Sequence, residues 1–280
     1  MIYISTACKK EKDLEKNLKY FERQGFCNIE LSGNTEFNNN TVLILNKFKK
    51  KNFKFLIHNY FPVPRKSFML NLGSPNKVIE NKSLKNCLAS IKICKKLNIK
   101  KFSLHAPFLV DFNEKEAGKK IKSRKIFDKE ETYLRFAKNL KILKKAAKNE
   151  VKLYVENNVL TIKNYLNFEC QNPLTLTSYS DYLEMKKIVS FKPLIDIAHL
   201  KVSSKTLGFD FNNEFNKFST NTDFFHVSNN NGIEDQNLEL KKNSIIYKML
   251  KKIKSQKTFS IEVYSGTNSW KNTYNILSKI

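Results

Sequence analysis

The chain is poor in glycine and proline, 7 and 6 in 280 residues, and these gather nowhere into a linker or a low-complexity tail. A boundary between separate folding units therefore has no place to fall, and α/β barrels routinely run this long as one domain. A single domain over residues 1–280 is the expectation. Cysteine is equally restrictive. The five cysteines, Cys8, Cys27, Cys87, Cys94 and Cys170, are odd in number and form no C-x-x-C pair, so neither a disulfide framework nor a thiolate zinc site is indicated. Cys87 and Cys94, seven apart, fall on one face of a helix and read as small core residues. No stretch approaches the roughly 18 to 20 uninterrupted apolar residues of a membrane span. The start, MIYISTACKKEKDLEK, lacks a signal peptide's order of basic, apolar and small residues. A cytoplasmic protein with no membrane partner is expected.

Acidic residues are few beside lysine and arginine, 26 against 51, for a net charge of +25. That excess invites a nucleic-acid hypothesis. The lysines, however, are spread over most of the helical patterns, as at Lys9, Lys16, Lys95, Lys141, Lys148 and Lys251, and do not concentrate on one element. With abundant Asn, Ile and Phe, they read as a solvated coat of an A/T-rich coding sequence. Hydrophobic residues at 41% and charged residues at 28% are ordinary for a folded globular chain with a large core.

Short β-rich runs alternate with longer amphipathic patterns from end to end. The runs are residues 2–5, 28–31, 53–58, 101–105, 152–156, 193–196, 223–227 and 258–262. Helical patterns cover 11–23, 83–97, 129–148, 180–189, 244–254 and 269–280. Eight strands alternating with helices through right-handed crossovers indicate a single (β/α)8 TIM barrel of the α/β class. A doubly wound open sheet usually carries a glycine-rich turn after its first strand, and here Ser5 runs into Thr6-Ala7-Cys8.

Histidine is the scarcest informative residue. All four, His58, His105, His199 and His226, fall at or just past the C-terminal end of an expected strand, as do the carboxylates Glu156, Asp196 and Glu262. One such residue is usually a satisfied core polar group. Six strands in succession ending this way is a different matter, because in a barrel those ends converge on one mouth. Three carboxylates in so small a volume repel one another, and a divalent cation is the cheapest compensation. Mixed imidazole and carboxylate donors suit Zn, Mn or Co better than calcium.

Six segments, HNYFPVPRKSFMLNLGSP (58–75), LHAPF (104–108), VENN (155–158), IDIAHLK (195–201), HVSNNNG (226–232) and IEVY (261–264), together resemble the xylose isomerase-like TIM barrels, the superfamily holding endonuclease IV and the ketose 3-epimerases. The resemblance implies a principal metal on Glu156, Asp196, His226 and Glu262. It implies a second on His58 and His105 bridged by Glu156, so one or two metals per chain. The nuclease's third zinc would require a histidine like His199 and a D-x-H pair, and this chain reads Asp235-Gln236-Asn237. Its second strand runs into NIELSGNTEFNNN, acidic and small where the nucleases carry a basic, aromatic DNA-entering loop. The IELSG form is similar to the sugar phosphate isomerase/epimerase branch, including members encoded beside surface-polysaccharide genes.

The expected activity is therefore isomerisation or epimerisation of a sugar or sugar phosphate, by proton transfer at a metal-chelated hydroxy-carbonyl. By resemblance, Glu156 and Glu262 are the acid/base pair. His199, Lys201, Asp235, Asn237, Arg65 and Asn229 are candidates for contacting substrate or supporting the ligands, and Lys66 joins Arg65 and Lys201 as a candidate for holding a phosphate or carboxylate. A small carbohydrate partner and no specific nucleic acid are expected. An abasic-site phosphodiesterase, favoured by the basic charge and disfavoured by Asn237, and a non-catalytic sugar-binding barrel stay open as alternatives.

Overall fold

The computed structural model describes residues 1–253 and 257–280. Eight strands, β1 (Ile2–Ser5), β2 (Asn28–Leu31), β3 (Lys54–Ile57), β4 (Lys101–His105), β5 (Lys152–Glu156), β6 (Lys192–Asp196), β7 (Phe224–Val227) and β8 (Thr258–Ile261), pair in parallel and in chain order. Pairing of Ile2 with Phe259 and of Ile4 with Ile261 closes the ring. The chain forms a single (β/α)8 barrel. The helices are α1 (Leu14–Arg23), α2 (Thr41–Lys49), α3 (Lys77–Lys96), α4 (Lys129–Ala147), α5 (Ile162–Asn167), α6 (Tyr179–Ile188), α7 (Ile197–Leu207), α8 (Phe211–Ser219), α9 (Ile245–Leu250) and α10 (Thr267–Leu277). None among the described residues is long and apolar enough to cross a membrane.

Side chains alternate between the two faces of each strand, and this period of two sorts the barrel. Ile4, Ile29, Ile57, Phe102, Val155, Ile195, Phe225 and Ile261 point outward into the main core against the helices. Tyr3, Leu56, Tyr154, Leu194 and Phe224 form a separate buried cluster within the ring. Two residues further along five of those strands come Ser5, His58, Glu156, Asp196 and His226. An aromatic and aliphatic plug thus carries a polar layer above it. Barrels are filled by such layers, and here the upper layer is the floor of the mouth.

The strands lie within a residue of the expected runs, but four helices, α2, α5, α7 and α8, escape the periodicity reading. The apolar run TVLIL opening α2 has no polar face to reveal a helical period. α7 begins directly at the end of β6: Asp196 is the N-cap, its Oδ1 accepting from His199 N at 2.7 Å. With no intervening loop, IDIAHLK reads as one segment. Such a cap contributes about 1 kcal/mol. α3 starts six residues earlier than its expected 83–97, capped by Asn76. Lys254, the last residue of the expected 244–254 helix, lies outside the described residues.

Candidate metal centre and active site

The last inward position of β5, β6 and β7, and the residue after β8, deliver Glu156, Asp196, His226 and Glu262. All four are buried, and one donor atom of each lies within 4.8 Å of the others. His226 occupies the middle: its Nδ1 is 3.3 Å from Glu156 Oε1 and 3.5 Å from Glu262 Oε2. His58, just past β3, and His105, ending β4, aim Nε2 at the other oxygen of Glu156, at 3.2 and 3.7 Å. These three form a second group able to hold a metal.

His199 stands on the first turn of α7, its Nδ1 on the Asn157 carbonyl at 3.0 Å. Its Nε2 faces Asp235 at 3.3 Å and Asp196 at 3.8 Å. Asn237 lines the same cavity as Asp235, while its carbonyl accepts from Tyr264 N.

The remaining candidates lie elsewhere. Arg65 stacks on Phe37, 4.8 Å from the ring centre, and Lys66 is exposed. Lys201 donates to Asn229 Oδ1 and to the Asn230 carbonyl. None of these four residues lines the cavity at the mouth.

Two residues escape the sequence reading. Glu30, in the middle of β2, is fully buried and sits 3.1 and 3.2 Å from His226 Nε2. A proton on Nε2 directed at Glu30 leaves Nδ1 facing the carboxylates, the arrangement that orients a ligating imidazole. Glu30 also forms a third group with His58 and His226. Its signal was the alternation of β2, where Ile29 and Leu31 face the core and Glu30 must face in. Asn157 is the other. It accepts from Asp196 N and donates to the Asp196 carbonyl, tying β5 to the start of α7.

The charges press on one another. Burial pushes the Asp196 carboxyl up to about 7, with Asp235 and Glu156 adding to the rise and His199 opposing it. Burial also acts to raise Glu156, but the charges of His105, His226 and His58 outweigh it and hold that carboxyl well below the usual range. Burial alone would lower His226; Glu30, Glu262 and Glu156 instead hold it well above an ordinary histidine. Burial lowers His105 to about 4. Within the quartet, Glu156 Oε2 and His226 Nδ1 are buried without a hydrogen-bond partner. A buried unpartnered polar atom costs about 1–3 kcal/mol, and two in one quartet of donors fit a cation-binding cluster. Mixed imidazole and carboxylate donors are of the kind that hold a divalent cation.

A family model described as xylose isomerase-like TIM barrel matches residues 21–279. The chain belongs to that family. No curated protein sequence matches the chain significantly. Among solved structures, a D-tagatose 3-epimerase-like protein is similar over 99% of this chain and 96% of its own, with a TM-score of 0.73 and 15% identity. The 3-keto-D-glucoside 4-epimerase of E. coli is similar over 99% and 97%, with a TM-score of 0.67 and 9% identity. The D-psicose 3-epimerase of Clostridium cellulolyticum H10 is similar over 99% and 94%, with a TM-score of 0.63 and 13% identity. At such identities the likeness is one of fold.

Proposed function

We propose that this family member is a metal-dependent sugar isomerase or epimerase. The observation that carries the reading is the buried quartet of Glu156, Asp196, His226 and Glu262, with two of its carboxylates within 3.5 Å of one imidazole nitrogen and a cavity lined by both of those glutamates. The sugar epimerases among its structural neighbours support the same reading. Glu156, Asp196, His226 and Glu262 would hold the principal metal, and His58 and His105 a second, sharing Glu156. Bound there, a divalent ion would polarise a hydroxy-carbonyl and acidify the adjacent carbon.

The protein's own residues do the rest. Glu156 and Glu262 would flank the substrate carbon, one to remove its proton and the other to return it. Asn157 and the cap on α7 fix Asp196, and Glu30 fixes the ring of His226. The plug beneath the polar layer keeps water from entering from below. General-base transfer contributes typically about 10²- to 10⁴-fold. Metal-loaded protein given ketoses in deuterated water should therefore wash label into the carbon beside the carbonyl, and Glu156→Gln and Glu262→Gln should not. Near-native exchange by either variant with metal still bound would reduce that glutamate to a ligand and refute the two-base mechanism.

One observation favours the phosphodiesterase as a second reading: His199 and Asp235, the residues that the resemblance matches to the nuclease's third zinc site, meet beside Asp196. Against it, Asn237 offers an amide, a poor zinc ligand, where an imidazole would complete the set. Metal-dependent incision of an abasic duplex at near-physiological salt would decide for the nuclease. The reading given first expects only weak, strongly salt-dependent binding by the lysine coat.

A further inference from the structure

We propose that the cavity takes an uncharged sugar with an apolar end, of the 6-deoxy kind, in preference to sugar phosphates. This assignment rests on the isomerase reading above and narrows it. The cavity at the mouth holds about 480 Å³. Its floor is the polar layer. One wall is different: Met69, Phe108, Phe112, Ile121 and Leu174 line it; Phe108, Ile121 and Leu174 belong to a small hydrophobic cluster separate from the main core, and Met69 and Phe112 pack against it. Phe108 and Phe112 pack with ring centres 5.0 Å apart, and Phe108 stands 6.4 Å from the His105 ring. Met69 and Phe112 are only half-buried, so part of each presents apolar surface to the cavity. A ligand whose far end is a methyl or methylene group gains by covering that surface.

Charge points the same way. Lysine and arginine make up 51 of 280 residues, so a cavity lined without selection would hold several. Among the described residues, Lys119 is the one lysine or arginine that lines this cavity. Lys119 lies on an exposed loop, three residues from Glu116, whose carboxylate is paired with Arg124, and Glu156, Asp235 and Glu262 line the same space. Phosphate is held by arginine forks, clustered lysines or free backbone amides. Among the described residues no arginine lines the cavity, and the amide of Asn164 at the start of α5 is already taken by the Thr161 hydroxyl. A phosphate therefore finds no fork or lysine cluster here, whereas an apolar end covers the wall.

The test uses the full chain loaded with manganese and three matched ligands: a ketohexose, its 6-deoxy analogue and its 6-phosphate. Affinity is read by ligand-induced thermal shift and turnover by deuterium incorporation. The 6-deoxy sugar should bind about tenfold or more tightly than the 6-phosphate and no more weakly than the ketohexose, as expected when one small group meets an apolar wall. Phe112→Asn should erase its advantage over the ketohexose. If the 6-phosphate binds best, and exchanges, the inference falls and the isomerase reading stands. If the 6-deoxy sugar binds best while no ligand exchanges label, the ligand class stands and the isomerase reading falls. Failure of all three to bind overturns both.

Discussion

Replacing Glu30 by glutamine preserves the shape of β2 and removes one buried charge 3.1 Å from His226 Nε2. A carboxylate can only accept from that nitrogen, so it fixes the proton on Nε2 and leaves Nδ1 for a metal. Glutamine can accept or donate. When its amide donates to Nε2, the proton moves to Nδ1, which faces Glu156 and Glu262, and the ligand position is blocked. Loss of such a supporting carboxylate typically costs about 10- to 100-fold in metal affinity, or about 1.4–2.8 kcal/mol. Competition of zinc between the protein and a chelating dye, at pH 8, measures this directly. The melting temperature of the metal-free variant separates loss of affinity from loss of fold. An affinity within twofold of native, at unchanged melting temperature, would show that Glu30 does not set the His226 tautomer. Loss of a whole equivalent of metal would instead make Glu30 a ligand, in the group it forms with His58 and His226.

Elemental analysis of protein purified without chelator should give one tight metal, a second weaker one that His58→Ala and His105→Ala remove, and no third. His199→Ala should leave the count unchanged, whereas three equivalents lost together in that variant would revive the nuclease. At Glu116, hydrogen bonds from the Arg124 guanidinium at 2.7 and 3.0 Å lead in holding the carboxyl at about 2, against an ordinary 4.5. A carboxyl lowered on folding stabilises the loop above its unfolded value, and that contribution is lost as the pH falls through about 2. Proteolytic nicking between residues 113 and 124 should therefore rise between pH 4.5 and pH 2 in the native protein. In Glu116→Gln nicking should already be high at pH 7, and equal rates in the two proteins at pH 7 would refute the brace.

How much of this could be read in advance follows from where each signal lay along the chain. The barrel was legible because a fully enclosed parallel strand must be a short apolar run, and runs such as KFLI, KLYVE and FFHV are bounded sharply by lysines and polar tips. The principal acids and histidines were legible for a related reason: a polar residue at the end of such a run contradicts burial unless the strand end opens onto something. Glu30 obeys the same logic one residue earlier. Leu31 ends β2 and faces the core, so attention to strand ends alone passes over the inward carboxylate behind it, and only the alternation of faces exposes it. The missed helices had no such rule to recover them, because α7 grows out of the same carboxylate that serves the site. The cavity wall lay beyond reach for a different reason. Met69, Phe108, Phe112, Ile121 and Leu174 come from loops as far apart as 105 residues, and nothing in their local pattern says that they meet. The chemistry at the floor is written in the strands, where a period of two constrains every side chain. The choice of ligand is written in loops, where only the closed ring beneath them brings the residues together.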